Sequence, residues 1–233
     1  MTPLEVSRRF PASALRASWQ GQTLVLRNLS LSDAVGVAQA VEESLPALKM
    51  FMPWAHFPQS LESQVARIRA NLTAAAEGKD FAMGLFGSDE RLLVGTGLHP
   101  RTHLNPNALE IGYWTRSSET GRGLATFASR LLIVYAFEAL GCDRVQISHN
   151  SANTASERVI AKCGFVHEGE VRNLTSKPSE ACVEAGLHPG RVFRTSALTP
   201  EDLPNLPWYA TLRNSVEVFD LLGQARGTLF LKS

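Results

Sequence analysis

Apolar residues recur along this chain in two periods, and the order of the two predicts the elements. Alternation over residues 23–27 (TLVLR) predicts a first strand. The spacing then turns helical, with Ser32 or Asp33 as cap, through Val41; Pro46 is expected to limit that helix or start a short one. Leu61, Val65, Ile68 and Leu72 repeat at helical spacing after Ser60 and predict a second helix to Glu77. Residues 81–86 and 91–98 read as a hairpin turning at 87–90, and 109–114 (LEIGYW) as the next strand. A helix from Leu124 carries Ala128, Leu131, Leu132, Tyr135 and Ala139 on one face, with Gly141 closing it. Residues 144–148 predict a short buried strand, and Thr154 with Glu157 a capping box for a helix ending at Gly164. Two more strands are expected at 165–174 and 191–197, around a Pro- and Gly-punctuated excursion at 176–190. Residues 216–222 and 227–231 predict a terminal hairpin, which needs a partner surface on its own domain or on a second subunit. The expected organisation is a loose lead-in at 1–20, a main domain at 21–200 and an extension at 201–233.

Composition narrows the class. With 233 residues and 44% hydrophobic content, the chain can bury one large core. A net charge of +1 offers no basic footprint for nucleic acid. No apolar run approaches the ~18 residues of a membrane span, and Arg8 and Arg9 are not followed by the apolar region of a secretion signal. The cysteines, Cys142, Cys163 and Cys182, are odd in number and lack C-x-x-C spacing, which suits a reducing cytoplasm and argues against a disulfide framework or a zinc site. Cys163 shares an apolar helical face and reads as a core thiol.

The strongest chemical signal is Gly121-Arg122-Gly123, which feeds directly into the helix at Leu124. The first N–H groups of a helix have no partner and sit at the positive end of its dipole, so they attract anions. The glycines let the backbone approach a bulky group, and Arg122 adds positive charge. A phosphate cradle is therefore expected at 120–126. It is not a nucleotide P-loop, since no Gly-Lys-Ser/Thr follows. A dinucleotide fingerprint fits poorly, because Thr126 stands at the third glycine position and Asp143 precedes the next strand.

Thr120-Gly121-Arg122-Gly123-Leu124-Ala125 resembles the acyl-CoA pyrophosphate loop of the GNAT superfamily of N-acyltransferases, Gln/Arg-x-x-Gly-x-Gly/Ala, with Thr120 in the usual Gln/Arg place. Asn153 and Ser156, then Lys162-Cys163-Gly164-Phe165, resemble a second block of that family, and with the strand EIGYW the chain looks like its RimJ/RimL-type branch over about residues 20–198. The resemblance implies an α/β (α+β) fold: a mixed, mostly antiparallel sheet of about seven strands, splayed at the centre, with helices on both faces. It implies acetyl-CoA as co-substrate, no metal, and a homodimer. It implies transfer of an acetyl group to a primary amine by direct attack in a ternary complex, with a protein or peptide N-terminus as leading acceptor. Rival readings are a small amine such as an aminoglycoside or polyamine, which an acidic cleft would favour, and a non-catalytic acyl-CoA sensor.

The same resemblance assigns roles. Backbone groups of Ile111, Gly112, Tyr113, Trp114 and Thr115 would bind pantetheine, and the N–H groups of Arg122, Gly123, Leu124, Ala125 and Thr126 the pyrophosphate. Thr120 and Gly121 open that loop, and Asn153 would meet the pantetheine arm. Arg158 and Lys162 would meet the 3′-phosphate or form a solvated face. Ser156 would donate to the coenzyme sulfur, against a local bond to a nearby carbonyl. Glu110 is the candidate base, against a solvated or cap-bonded glutamate; His149 is a second base candidate near the substrate. Phe51 and Trp54 would touch the acceptor or belong to the core. His56, His99 and His103 have no metal spacing with His149 and read as structural or loop residues.

Overall fold

The computed structural model describes residues 14–100, 105–219 and, as backbone, 225–228. Its strands are β1 (Ala14–Trp19), β2 (Gln22–Asn28), β3 (Phe81–Phe86), β4 (Leu92–Pro100), β5 (Ala108–Thr115), β6 (Arg144–Asn150), β7 (Val166–Arg172), β8 (Val192–Leu198), β9 (Glu217–Phe219) and β10 (Ala225–Thr228). They form one sheet in the order β10-β9-β1-β2-β3-β4-β5-β6-β8-β7. Every neighbouring pair is antiparallel except β5 and β6. The helices are α1 (Ala34–Lys49), α2 (Leu61–Ala76), α3 (Leu124–Glu138), α4 (Thr154–Cys163), α5 (Glu180–Glu184) and α6 (Tyr209–Ser215).

Period-two alternation divides the apolar side chains between two faces. Leu98, Leu109, Ile111, Val145 and Ile147 join one core with α3, whose Leu131, Leu132, Ile133 and Val134 are all fully buried. Phe86, Leu92 and Trp114 join the other, under α1 and α2. The expected mixed sheet with helices on both faces is therefore present, but among the described residues it has ten strands rather than about seven. The additional strands come from the two ends of the described chain. In β1 only Leu15 and Ala17 are buried, too short a stripe to stand out from sequence. Pairing makes it a strand: β1 lies between β2 and β9. Thus residues 14–19, expected in a loose lead-in, belong to the sheet, and the terminal hairpin packs on the same domain. Residues 1–13 of the lead-in and residues 220–224 and 229–233 of the hairpin lie outside the described residues. The extension is anchored in the main core by Leu206, Tyr209 and fully buried Val216, and the Trp208 indole donates to the Cys163 carbonyl at 3.1 Å.

Two helix boundaries differ from expectation. Helix α1 runs through Pro46 to Lys49. Proline removes the bond to the carbonyl four residues back; here Pro46 and Glu42 both lie on the exposed side, so water can satisfy that carbonyl. Helix α4 is capped by Asn153 rather than by a Thr154–Glu157 box: the Asn153 Oδ1 accepts from the Ser156 N–H at 3.0 Å. Glu157 instead pairs with Arg194 at 2.8 Å.

Candidate active site

The site begins where a ladder stops. The parallel rungs between β5 and β6 are Ala108↔Arg144, Leu109↔Val145 and Glu110↔Gln146, and none follows. Each strand is held on its outer side, β5 by β4 as far as Thr115 and β6 by β8 as far as Asn150. The inner edges 111–115 and 147–150 therefore part into a V. Unpaired main-chain groups along such an edge can bind an extended amide chain as an added strand would. On the β4 side, the Gly112 carbonyl accepts from the Thr96 hydroxyl at 2.7 Å.

Beyond β5 the chain turns through residues 116–123 into α3. Gly121 (φ +78°) and Gly123 (φ +79°) are both left-handed, a conformation that costs side-chain-bearing residues. A β-carbon at Gly123 would also sit 3.2 Å from the Trp19 ring. Gly123 is the N-cap, and among the described residues no side chain caps the helix, which leaves its leading N–H groups available to an anion. The turn is braced from α1: the Ser44 hydroxyl accepts from Ser117 N–H at 3.0 Å, and Glu43 accepts from Ser118 N–H at 2.8 Å and Arg116 Nε at 2.6 Å. The Ser118 hydroxyl and N–H and the Arg116 guanidinium together hold the Glu43 carboxyl down to about 2. Arg122 is not the free cation its place suggested; it pairs with buried Glu119, which Arg91 also grips at 2.9 Å. The Thr120 hydroxyl donates to the Ser117 carbonyl at 2.9 Å, so it stabilises the turn.

On the α4 side of the V, Tyr113 and Ser156 meet. Their hydroxyls are 2.7 Å apart. This partner was not foreseen: Tyr113 was expected to act through its backbone, and Ser156 to bond a carbonyl or a sulfur. Burial raises the Tyr113 phenol well above its ordinary range, partly offset by the bond to Ser156. His149 shares the face of Val145 and Ile147 and is buried, with neither ring nitrogen reaching a well-formed hydrogen bond. Burial lowers its pKa, with the Glu157 charge opposing that shift and the Arg194 charge adding to it. Asn153 lies at the same helix start, its oxygen spent on the cap. Arg158 and Lys162 are exposed on α4 and form no ion pair among the described residues. Cys163 is a core thiol, its pKa pushed by burial up to about 12.

The opposite face of the V holds Glu110 and a cleft. The Glu110 carboxylate accepts from Gln146 Nε2 at 2.9 Å and Ser148 Oγ at 3.3 Å. His99 is its cross-strand neighbour on β4. The cleft, about 540 Å3, lies between the sheet and the α1–α2 segments; Trp54, Trp114, Arg67, Asp80, His99, Thr96 and Gly112 are among its walls. His99 Nδ1 meets the Asp80 carboxylate, and its ring lies over the Gly97–Gly112 pair, where a β-carbon on either glycine would come within 2.9 Å and 3.1 Å of Nε2. Trp114 covers Gly95 in the same way. Trp54 stands beside Trp114, with ring centroids 6.3 Å apart. Phe51 does not line the cleft; it packs against His188 of the 176–190 excursion, 5.8 Å between centroids, and His188 N–H bonds the Met50 carbonyl. His56 bonds the Lys49 carbonyl at 2.8 Å, and His103 lies outside the described residues.

Sequence reasoning thus missed the cleft-lining roles of Arg67, Asp80 and His99. Two signals existed. Arg67 interrupts the apolar stripe of α2, between buried Gln64 and Ile68. Glycines at 95 and 97 of β4, with Gly112 opposite, mark a strand face kept clear for rings or ligands.

Residues 23–166 match the family model described as "Acetyltransferase (GNAT) domain". YdaF of Bacillus subtilis (strain 168), a provisionally named ribosomal N-acetyltransferase, is 31% identical over 151 residues, which is 64% of this chain and 81% of that protein. The ribosomal-protein-serine acetyltransferase of Escherichia coli (strain K12) is 28% identical over 122 residues, 52% of this chain and 67% of that one. Among solved structures, Mycobacterium smegmatis RimJ in complex with CoA-disulfide superposes with a TM-score of 0.73 at 22% identity, covering 84% of this chain and 91% of that one.

Proposed function

The chain belongs to the GNAT acetyltransferase family and is an acetyl-CoA-dependent N-acetyltransferase, and from that premise we propose that its acceptor is the α-amine of a protein or peptide N-terminus. Relatives carrying ribosomal-protein acceptors in their names support this reading. The observation that carries it is the opening between β5 and β6 beyond Glu110↔Gln146, with paired hydroxyls on one side and a cleft on the other. A thioester lying in that opening would have its sulfur on the Ser156 side and its carbonyl carbon open to the cleft.

The cradle suits a diphosphate: two left-handed glycines and a helix start that no side chain caps. In the reaction the amine nitrogen bonds to the acyl carbon and the C–S bond breaks. The amine proton passes to Glu110, and the departing thiolate takes a hydrogen bond from Ser156. For Ser156 to donate, it must accept from Tyr113, and burial keeps that phenol protonated. An α-amine titrates near ~8 and is partly neutral already, so a carboxylate base suffices. Asn153 meets the pantetheine arm and Trp54 walls the acceptor cleft, with His149 on the α4 side as a second base candidate; Arg158 and Lys162 are the cations for the 3′-phosphate.

Polycationic acceptors fit less well, because the cleft holds the Arg67 guanidinium and its Asp80 is taken by His99. We take the assembly to be a homodimer in the cytoplasm. Apolar Val166 and Val171, exposed on edge strand β7, support a second copy as partner. No helix among the described residues is long and apolar enough to cross a membrane.

The test is thiol release from acetyl-CoA with free-N-terminus peptides, Nα-blocked lysine peptides and polyamines, with the acetylated atom located by mass spectrometry. Acetylation confined to α-amines is expected. Release only with lysine or polyamine overturns the acceptor reading, and tight coenzyme A binding without release to any amine would favour a sensor.

A further inference from the structure

Arg67 is a charged group in an unusual setting. It projects from α2 into the cleft, half-buried, with its guanidinium 5.1 Å above the Trp54 ring. Its Nη2 donates to Gln59 Oε1 at 3.2 Å. Among the described residues no carboxylate pairs with it, although twelve other ion pairs are formed. The cleft carboxylate that could serve, Asp80, is engaged by His99. Burial accordingly lowers the Arg67 pKa with no acid to oppose the shift. Removing a cation from water without a counter-charge is costly, and such charges are normally paired. Guanidinium is also the side chain whose fork matches a carboxylate or phosphate, and an aromatic face beneath it holds its plane while leaving its edge free.

We infer that Arg67, seated on Trp54, is an acceptor-selecting residue: it binds an anionic group carried close to the amine that is acetylated. The inference rests on the acceptor reading above and deepens it. The preferred substrate is an N-terminus with an acidic side chain within its first few residues. The anion enters the cleft and bonds the open edge of the guanidinium; the α-amine then lies toward Gly112 and Glu110, where β5 leaves β6. Gln59 is the hinge of this arrangement. Its amide donates to the carbonyls of Trp54 and Phe57 at 2.8 Å, and its oxygen accepts from both Arg67 and Gln64, tying the Trp54 turn to α2. The recognition pair is thus held before substrate arrives, which limits the ordering cost of binding.

The experiment compares kcat/KM for two peptides that differ only by Glu or Gln at the second residue, with wild-type enzyme and with Arg67→Gln and Arg67→Lys. The wild type should prefer the acidic peptide by roughly tenfold, about the value of one hydrogen bond between charged groups. Arg67→Gln should bring the ratio near one, and Arg67→Lys should restore part of it. Equal use of both peptides by the wild type overturns the inference while leaving the α-amine reading intact. An equal loss on both peptides in Arg67→Gln, with the ratio kept, assigns Arg67 a structural role and overturns it too. Free glutamate as a third acceptor separates the sources of the anion. Faster turnover of it than of either peptide keeps Arg67 as the anion reader and overturns the peptide acceptor. Transfer to none of the three overturns both. The peptide comparison in wild-type enzyme stands even if a variant does not fold.

Discussion

The two ends of the site are built differently. The cradle proposed at 120–126 is contiguous, would act through main-chain N–H groups, and depends on side chains chiefly through their absence at Gly121 and Gly123. The cleft is assembled from separate segments: Trp54 before α2, Arg67 on α2, Asp80 before β3, His99 on β4 and Trp114 on β5. An invariant ligand such as a diphosphate can be met by backbone geometry, which few substitutions change. A variable ligand has to be met by side chains, which can be exchanged without disturbing the sheet. The first kind of site leaves a short motif in a sequence, and the second leaves scattered residues.

Substitutions at the two ends should therefore fail in different parameters. The largest effect is expected between them, at the sulfur. Ser156→Ala should lower kcat by roughly a hundredfold, the size of one lost transition-state donor, with coenzyme A affinity by calorimetry preserved; full turnover would remove Ser156 from the mechanism. Tyr113→Phe should act in the same direction but by about tenfold or less, since it removes a partner of the donor rather than the donor; a larger loss than Ser156→Ala would make the phenol the donor itself. At the cradle, Gly123→Val meets both left-handed strain and the Trp19 ring, and should weaken coenzyme A binding by roughly tenfold. At the cleft, Trp54→Ala should raise the acceptor KM several-fold, about the scale of a lost aromatic contact. A change in the acetyl-CoA KM instead would mean that the two ends are not separate.

The smallest effect concerns the brace under the cradle. The Glu43 carboxyl is held from 4.5 down to about 2 by Ser118 and Arg116. A depressed folded-state pKa stabilises above the unfolded value, and that stabilisation is lost as pH falls through the folded value. The Tm difference between wild type and Glu43→Gln should be constant above about pH 5 and shrink between about 4.5 and 2. A difference independent of pH down to 2 would show that Glu43 does not brace the turn through its charge.

Much of the fold was legible because its signals are local. The Ser60 cap of α2 and the glycine closures at Gly141 and Gly164 depend on near neighbours, and the structure has them where expected; of the α2 stripe only Ile68 is fully buried, while Leu61 and Leu72 are exposed. The misreadings share a cause. Strand β1 has two buried residues, and only its neighbours β2 and β9 make it a strand. Pro46 reads as a helix limit until the exposure of the Glu42 carbonyl side is known. Phe51 and Trp54 read alike, three residues apart in one aromatic cluster, yet only Trp54 lines the cleft, because Phe51 is occupied by His188 from a segment more than a hundred residues away.

What the sequence determined by itself is the turn proposed for the cofactor: a left-handed glycine turn opening a helix is specified by residues within a few positions of one another, since backbone sterics act over that range. Tertiary structure alone decided which side chains meet at the opening and in the cleft. The Tyr113–Ser156 pair spans 43 residues, and His99 meets Asp80 across 19. Which side chains share a cavity depends on strand register and on where the β5–β6 ladder ends, and neither is written in any one stretch of the chain.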